Sequence, residues 1–92
     1  MNTKFSIYHI LVKHEYEAKD VLKIIKNGLS FESAAEKFST CSSSTQRGLL
    51  GPYKPGRFVE AFEEAVTDLE FNKISEPIRT QFGYHLIIKR IL

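Results

Sequence analysis

Two histidines stand at matching places in two apolar hexapeptides, Tyr8-His9-Ile10-Leu11-Val12-Lys13 and Tyr84-His85-Leu86-Ile87-Ile88-Lys89. If the two segments lie side by side, the imidazoles can meet, and each ring nitrogen then needs a hydrogen-bond partner because water is gone. Such a pair can move protons, or it can hold both rings in one fixed tautomer. A buried histidine is more often a satisfied core residue than a catalyst, so the pair gains chemical meaning only through its surroundings. Cys41 is the other reactive side chain. Paired with a histidine it would be a thiolate nucleophile, a role that needs a depressed pKa and an oxyanion hole.

Both hexapeptides are rich in β-branched and aromatic residues and too flat in periodicity for an amphipathic helix. They read as strands that are apolar on two faces and therefore central in a sheet. The sequence between them holds no second copy of anything, so they reflect similar local demands and not a repeat. Between them, Ala18, Val21, Leu22 and Ile25 fall at helical spacing opposite Lys19, Lys23 and Lys26, with Gly28 as a stop. Ser30 is placed as the N-cap of a second helix, with Leu29 and Ala34 as its staple and Phe31, Ala34, Ala35 and Phe38 as its buried stripe. A loop rich in hydroxyls, then in Gly and Pro, runs over 39–56 and holds a short strand at 49–53. Phe58, Ala61, Phe62 and Ala65 return to helical spacing. An edge strand interrupted by Pro77 is predicted over 74–78, and the last strand begins after Gly83. The class is α+β: a small, mostly antiparallel sheet covered by helices.

The 92 residues are read as one domain, 1–92, long enough to bury a core without staples. A hydrophobic share of 42% and a charged share of 26% are ordinary globular values, and the formal charge of +2 is too small and too interspersed for nucleic acid. The one cysteine excludes an internal disulfide, and no Cys or His spacing suits zinc, so no metal or cofactor is implied. The longest apolar run falls far short of the ~20 residues that cross a bilayer, and no cleavage site follows it. These features lead us to expect a soluble cytoplasmic monomer.

Five blocks in order carry a resemblance: HILVK (His9 to Lys13), F-x-x-x-A-x-x-x-S-x-C (Phe31 to Cys41), RGLLG (Arg47 to Gly51), G-x-x-V-x-A-F (Gly56 to Phe62) and TQFGYHLI (Thr80 to Ile87). With them the chain resembles the parvulin-type peptidyl-prolyl cis/trans isomerases, particularly the small single-domain bacterial kind. The resemblance implies a four-stranded antiparallel sheet wrapped by about four helices, an FKBP-like superfold, with the two histidine strands adjacent at its centre. It implies catalytic positions at His9, Cys41, Thr80 and His85, and substrate-binding positions at Leu50, Phe58, Phe62 and Phe82.

The chemistry agrees with this implication. An Xaa-Pro bond turns over a barrier of ~18–20 kcal/mol because amide resonance must be broken, and no covalent bond need form. An apolar cup grips the proline ring and disfavours the more polar planar amide. The histidines then serve as an organising chain and the Cys41 sulfur as a weakly polar partner for the substrate carbonyl. Isomerisation has no leaving group, which leaves a thiol nucleophile without a task.

The alternative, from another class, is a peptide-binding or chaperone module with little catalysis. Three departures from the family stand out: Phe58 where methionine is common, Leu49 where aspartate is common, and Glu15 and Glu17 where phosphate-directed relatives place paired arginines. The substrates expected are proline-containing polypeptides, without phosphate direction. Phe62→Ala is expected to empty the pocket and leave the fold largely intact.

Overall fold

The computed structural model describes residues 4–91, apart from the Ser43 side chain. Its elements in chain order are β1 (Phe5–Val12), α1 (Glu15–Lys26), α2 (Phe31–Phe38), a short 3-10 helix (Ser42–Gln46), β2 (Leu49–Pro52), α3 (Glu60–Asp68), β3 (Ile78–Thr80) and β4 (Gly83–Ile91). The strands form one antiparallel sheet in the order β2-β1-β4-β3. The two histidine strands are therefore its central pair, matched along their whole length from Phe5 opposite Ile91 to Val12 opposite Tyr84.

Side chains alternate across a strand, so each central strand feeds both faces of the sheet. Ile10, Val12, Leu86 and Ile88 pack on one face with Ala18 and Val21 of α1 and Phe31, Ala34 and Ala35 of α2. Ile7 and Ile87 pack on the other with Phe62 and Val66 of α3. This second face also carries a buried cation. The Lys89 ammonium donates to the Val66 carbonyl at 2.8 Å, with the Phe5 and Phe71 ring centroids 5.2 and 5.0 Å away. It thereby satisfies a carbonyl near the C-terminal, electronegative end of α3.

Local chemistry accounts for the helix ends. The Ser30 hydroxyl accepts the Ser33 amide at 3.1 Å, as its cap position requires. After α1, Gly28 N–H donates to the Ile25 carbonyl and Leu29 N–H to the Ile24 carbonyl, the paired bonds of a Schellman stop.

Several expectations are corrected. There are three α-helices and one short 3-10 helix among the described residues, where about four helices were expected. The stripe of α2 runs out at its final residue: Ser39 turns at once to accept the Leu11 amide, and Phe38 is left 37% exposed. Phe58 lies outside α3, because Val59 is extended (ψ 156°) and the Phe58 amide is taken by the Glu63 side chain. The edge strand is displaced toward the C-terminus. Ile74 makes one isolated bridge to Ile88, Ser75 meets Ile87 through both its amide and its hydroxyl, and the ladder resumes only after Pro77, which has no N–H to give.

Two glycines are required by close approach. Gly48 (φ +88°) gives its carbonyl to the His9 amide at 2.9 Å, and a Cβ there would stand 2.8 Å from the His9 carbonyl oxygen. Gly83 (φ +135°) opens β4, where a Cβ would lie 2.5 Å from the Val12 carbonyl oxygen. Gly83→Ala is therefore expected to lower unfolding free energy by ~2 kcal/mol or more, seen as a lower urea midpoint at unchanged m-value.

Candidate active site

His9 sits opposite Ile87 and His85 opposite Leu11, so the two imidazoles are diagonal neighbours on the α3 face of the central strand pair. Rings reach across such a diagonal where shorter side chains do not. The two Nδ1 atoms are 3.1 Å apart, with ring centroids separated by 5.3 Å and planes tilted by 22°. On the far side, His85 Nε2 is 2.7 Å from the Thr80 hydroxyl, which accepts the Phe82 amide at 3.1 Å. The Thr80 hydroxyl keeps one proton and a second lone pair after the Phe82 bond, so it can donate to His85 Nε2 or accept from it. In either case one proton lies between the two Nδ1 atoms, and the tight turn between β3 and β4 fixes the orientation of the His85 ring.

Beside the pair lies a cavity of about 390 Å³ lined by His9, Leu11, Cys41, Leu50, Arg57, Phe58, Val59, Phe62, Phe82 and His85. Phe62, rooted in the core at 2% exposure, stands edge-on to both imidazoles with centroids at 5.9 and 5.2 Å. Phe58 stacks on Phe62 at 4.7 Å, while Phe82 rises from the β3–β4 turn 62% exposed. Cys41 joins the wall at the end of the loop after α2, its amide donating to the Ser39 hydroxyl. Among the described residues, no group of three or more His, Cys, Asp and Glu side chains could hold a metal ion.

Seven of the eight residues singled out from sequence therefore surround one cavity, and the eighth, Thr80, stands behind His85. Leu11, Arg57 and Val59 complete the lining and were not among the eight. Leu11 was recoverable, because it lies two residues from His9 and strand alternation puts both on one face. Val59 sits at the N-cap of α3, a place that helical spacing does not mark.

Residues 9–90 match the rotamase family's PPIC-type PPIase domain. The chain belongs to this family, the parvulins. It is 40% identical over 87 residues to the foldase protein PrsA of Bacillus subtilis, a match covering 94% of this chain and 30% of that protein. Foldase protein PrsA 3 of Bacillus anthracis is 39% identical over 85 residues, covering 91% of this chain and again 30% of the relative. The chain thus spans about 30% of the length of these curated relatives. The crystal structure of Bacillus subtilis PrsA superposes with a TM-score of 0.91 at 38% identity, over 98% of this chain and 36% of that one. The solution structure of NmPin, the parvulin of Nitrosopumilus maritimus, superposes at 0.87 and 35% identity over 98% of both chains. The parvulin-like fold implied by the resemblance is thereby shown, at that level and not at the broader one of an FKBP-like superfold.

In this parvulin domain both histidines are neutral at physiological pH. Burial pushes His9 down to about 4, helped by its neighbour His85, and burial alone pushes His85 to about 4. Both are lowered from 6.5, so below that pH the unfolded chain binds protons that the folded chain refuses. The stability carried by the pair is complete above pH 6.5 and falls as the pH drops toward 4. Protonating the first ring is expected to cost on the order of 3 kcal/mol across that range. Glu32, held below the usual carboxylate range chiefly by its hydrogen bond to Arg90, adds its own loss only at the acid end. Urea midpoints measured at pH 7, 6, 5 and 4.5 are expected to decline from the first step. A flat profile down to pH 5 would show that the rings are not held neutral by burial.

Proposed function

We propose that this cavity receives the proline of flexible or unfolded polypeptides and speeds rotation of the preceding peptide bond without covalent chemistry, and that phosphorylation of the substrate gives no advantage. The observation that carries this reading is the apolar cavity with the two buried imidazoles in its floor. Its volume suits a small ring and its neighbours. Phe58, Phe62 and Phe82 present ring faces and edges to a pyrrolidine. Withdrawing the amide from water raises the planar, resonance-polarised state relative to the twisted one. Each tenfold acceleration needs about 1.4 kcal/mol of such selective stabilisation.

In this scheme His9, His85 and Thr80 organise the floor. Neutral rings held against one another present no net charge to the substrate. Cys41 offers its sulfur to the substrate carbonyl as a weakly polar neighbour. Among the described residues, Arg57 is the one Lys or Arg in the cavity lining. One exposed guanidinium does not offset the cost of drying a phosphate dianion, and Glu17, whose carboxylate accepts the His14 amide at the start of α1, adds negative charge beyond β1. In this reading the chain acts as a monomer, because one peptide groove needs no partner subunit. The cytoplasmic setting rests on the lone cysteine, which suits a reducing compartment. Among the described residues no helix is long and apolar enough to cross a membrane.

NMR exchange spectroscopy on Ala-Xaa-Pro-Phe peptides tests the reading directly. Accelerated cis/trans exchange is expected, and its absence together with peptide binding would leave a binding module of the chaperone kind. In a series varying Xaa, apolar or neutral residues are expected to turn over faster than phosphoserine; the reverse order would overturn the phosphate-independent assignment. Phe62→Ala is not the clean probe that sequence reasoning expects. Phe62 is shared with the core beside Ile7, Val66 and Ile87, and its truncation should cost ~3–5 kcal/mol of stability. Phe82→Ala avoids this, and kcat/KM should fall roughly tenfold while the urea midpoint stays within error.

A further inference from the structure

Three of the cavity's lining residues, Arg57, Phe58 and Val59, come from the segment joining β2 to α3, whose residues 54–57 are exposed. Little side-chain packing fixes such a stretch, so its position depends on how its ends are held. Both ends meet at one side chain. Glu63, in the first turn of α3, accepts the Phe58 amide on Oε2 at 3.1 Å and the Tyr53 hydroxyl on Oε1. Tyr53 is itself tied to the sheet: its amide donates to the Phe5 carbonyl at 2.9 Å, and its ring stacks on Phe5 with centroids 5.0 Å apart and planes tilted by 10°. The carboxylate therefore bridges the sheet, through Tyr53, to the wall of the cavity, through Phe58. Its own helix is anchored in the core by Phe62 and Val66.

We infer that Glu63 is a positioning residue that sets the outer wall of the proline pocket, its two oxygens holding the two ends of the loop that carries Arg57, Phe58 and Val59. The inference rests on the proposal that this cavity takes proline. A carboxylate suits the task because both its oxygens accept and neither donates, so two converging donors are satisfied at once. Glutamine keeps one acceptor oxygen for the Phe58 amide and sets an NH2 against the Tyr53 hydroxyl, so a neutral bond replaces a charge-assisted one. Alanine serves neither, and because Tyr53 and Phe58 are half-exposed, water replaces the lost partner and the fold survives while the wall shifts.

The experiment compares the wild-type chain with Glu63→Ala, Glu63→Gln and Tyr53→Phe, following turnover of Ala-Xaa-Pro-Phe peptides and amide hydrogen exchange residue by residue. Glu63→Ala is expected to raise KM roughly five- to tenfold with kcat within about twofold, the mark of lost uniform binding. It should also alter the ranking of Xaa residues. Exchange at the Phe58 amide should speed up at least about tenfold while β1 and β4 amides keep their protection. Glu63→Gln and Tyr53→Phe should fall between Glu63→Ala and wild type. Unchanged KM, unchanged Phe58 exchange, or loss of protection throughout the sheet would each overturn the inference. If the wild-type chain turns over no peptide, the proposal of catalysis fails separately. The clamp is then judged by Phe58 exchange together with the Kd for the same peptides, which Glu63→Ala must weaken.

Discussion

A hydrogen bond between two uncharged imidazoles, His9 Nδ1 to His85 Nδ1 at 3.1 Å, is the contact on which the rest of the molecule depends. It can form only if β1 and β4 are neighbours, antiparallel and in the register that sets the histidines on a diagonal. It is lost only if both rings are protonated, which burial in the sheet opposes. On its far side the His85 ring is held by the Thr80 hydroxyl, itself bonded to the Phe82 amide. Strand pairing, desolvation and turn geometry thus converge on one buried ring pair.

The two faces of the sheet divide the labour. The face under α1 and α2 is a continuous apolar layer, whereas the face under α3 is shared between core and pocket. Phe62 belongs to both, packing with Val66 and Ile87 while its ring edge meets the imidazoles. Such sharing gives the pocket a rigid floor, because displacing it means disturbing the core. The outer wall, Phe58 and Val59, is only partly buried against the same cluster and adds polar ties, of which the Glu63 carboxylate supplies two. The pocket therefore joins a floor set by close packing to a wall set by partial packing and hydrogen bonds.

Much of this was legible in the residues. The twin hexapeptides announced two central strands, because a short β-branched run that is apolar on both faces fits the middle of a sheet and little else. Ser30 and Gly28 marked helix ends through local chemistry that operates within a few residues. What stayed hidden depends on contacts distant in sequence. Phe58 continues the helical spacing of α3 yet sits outside it, since a carboxylate five residues on captures its amide. The displacement of β3 follows from Ser75 using both amide and hydroxyl against Ile87, a side-chain substitute for a ladder bond that no pattern of apolar residues encodes. Phe38 shows the converse failure: its spacing is right, but the element it should cover has ended.

The placement of β1 and β4 also dictates how the domain must assemble. Its central ladder joins the first strand made to the last, and the histidines that meet there are 76 positions apart. Closing so wide a loop comes early in energetic cost and late in synthesis, which favours slow, all-or-none formation of the sheet. Until β4 emerges, Ile7 and Ile10 have no central partner strand, and the nascent domain presents an unpaired sticky edge of the sort that chaperones bind.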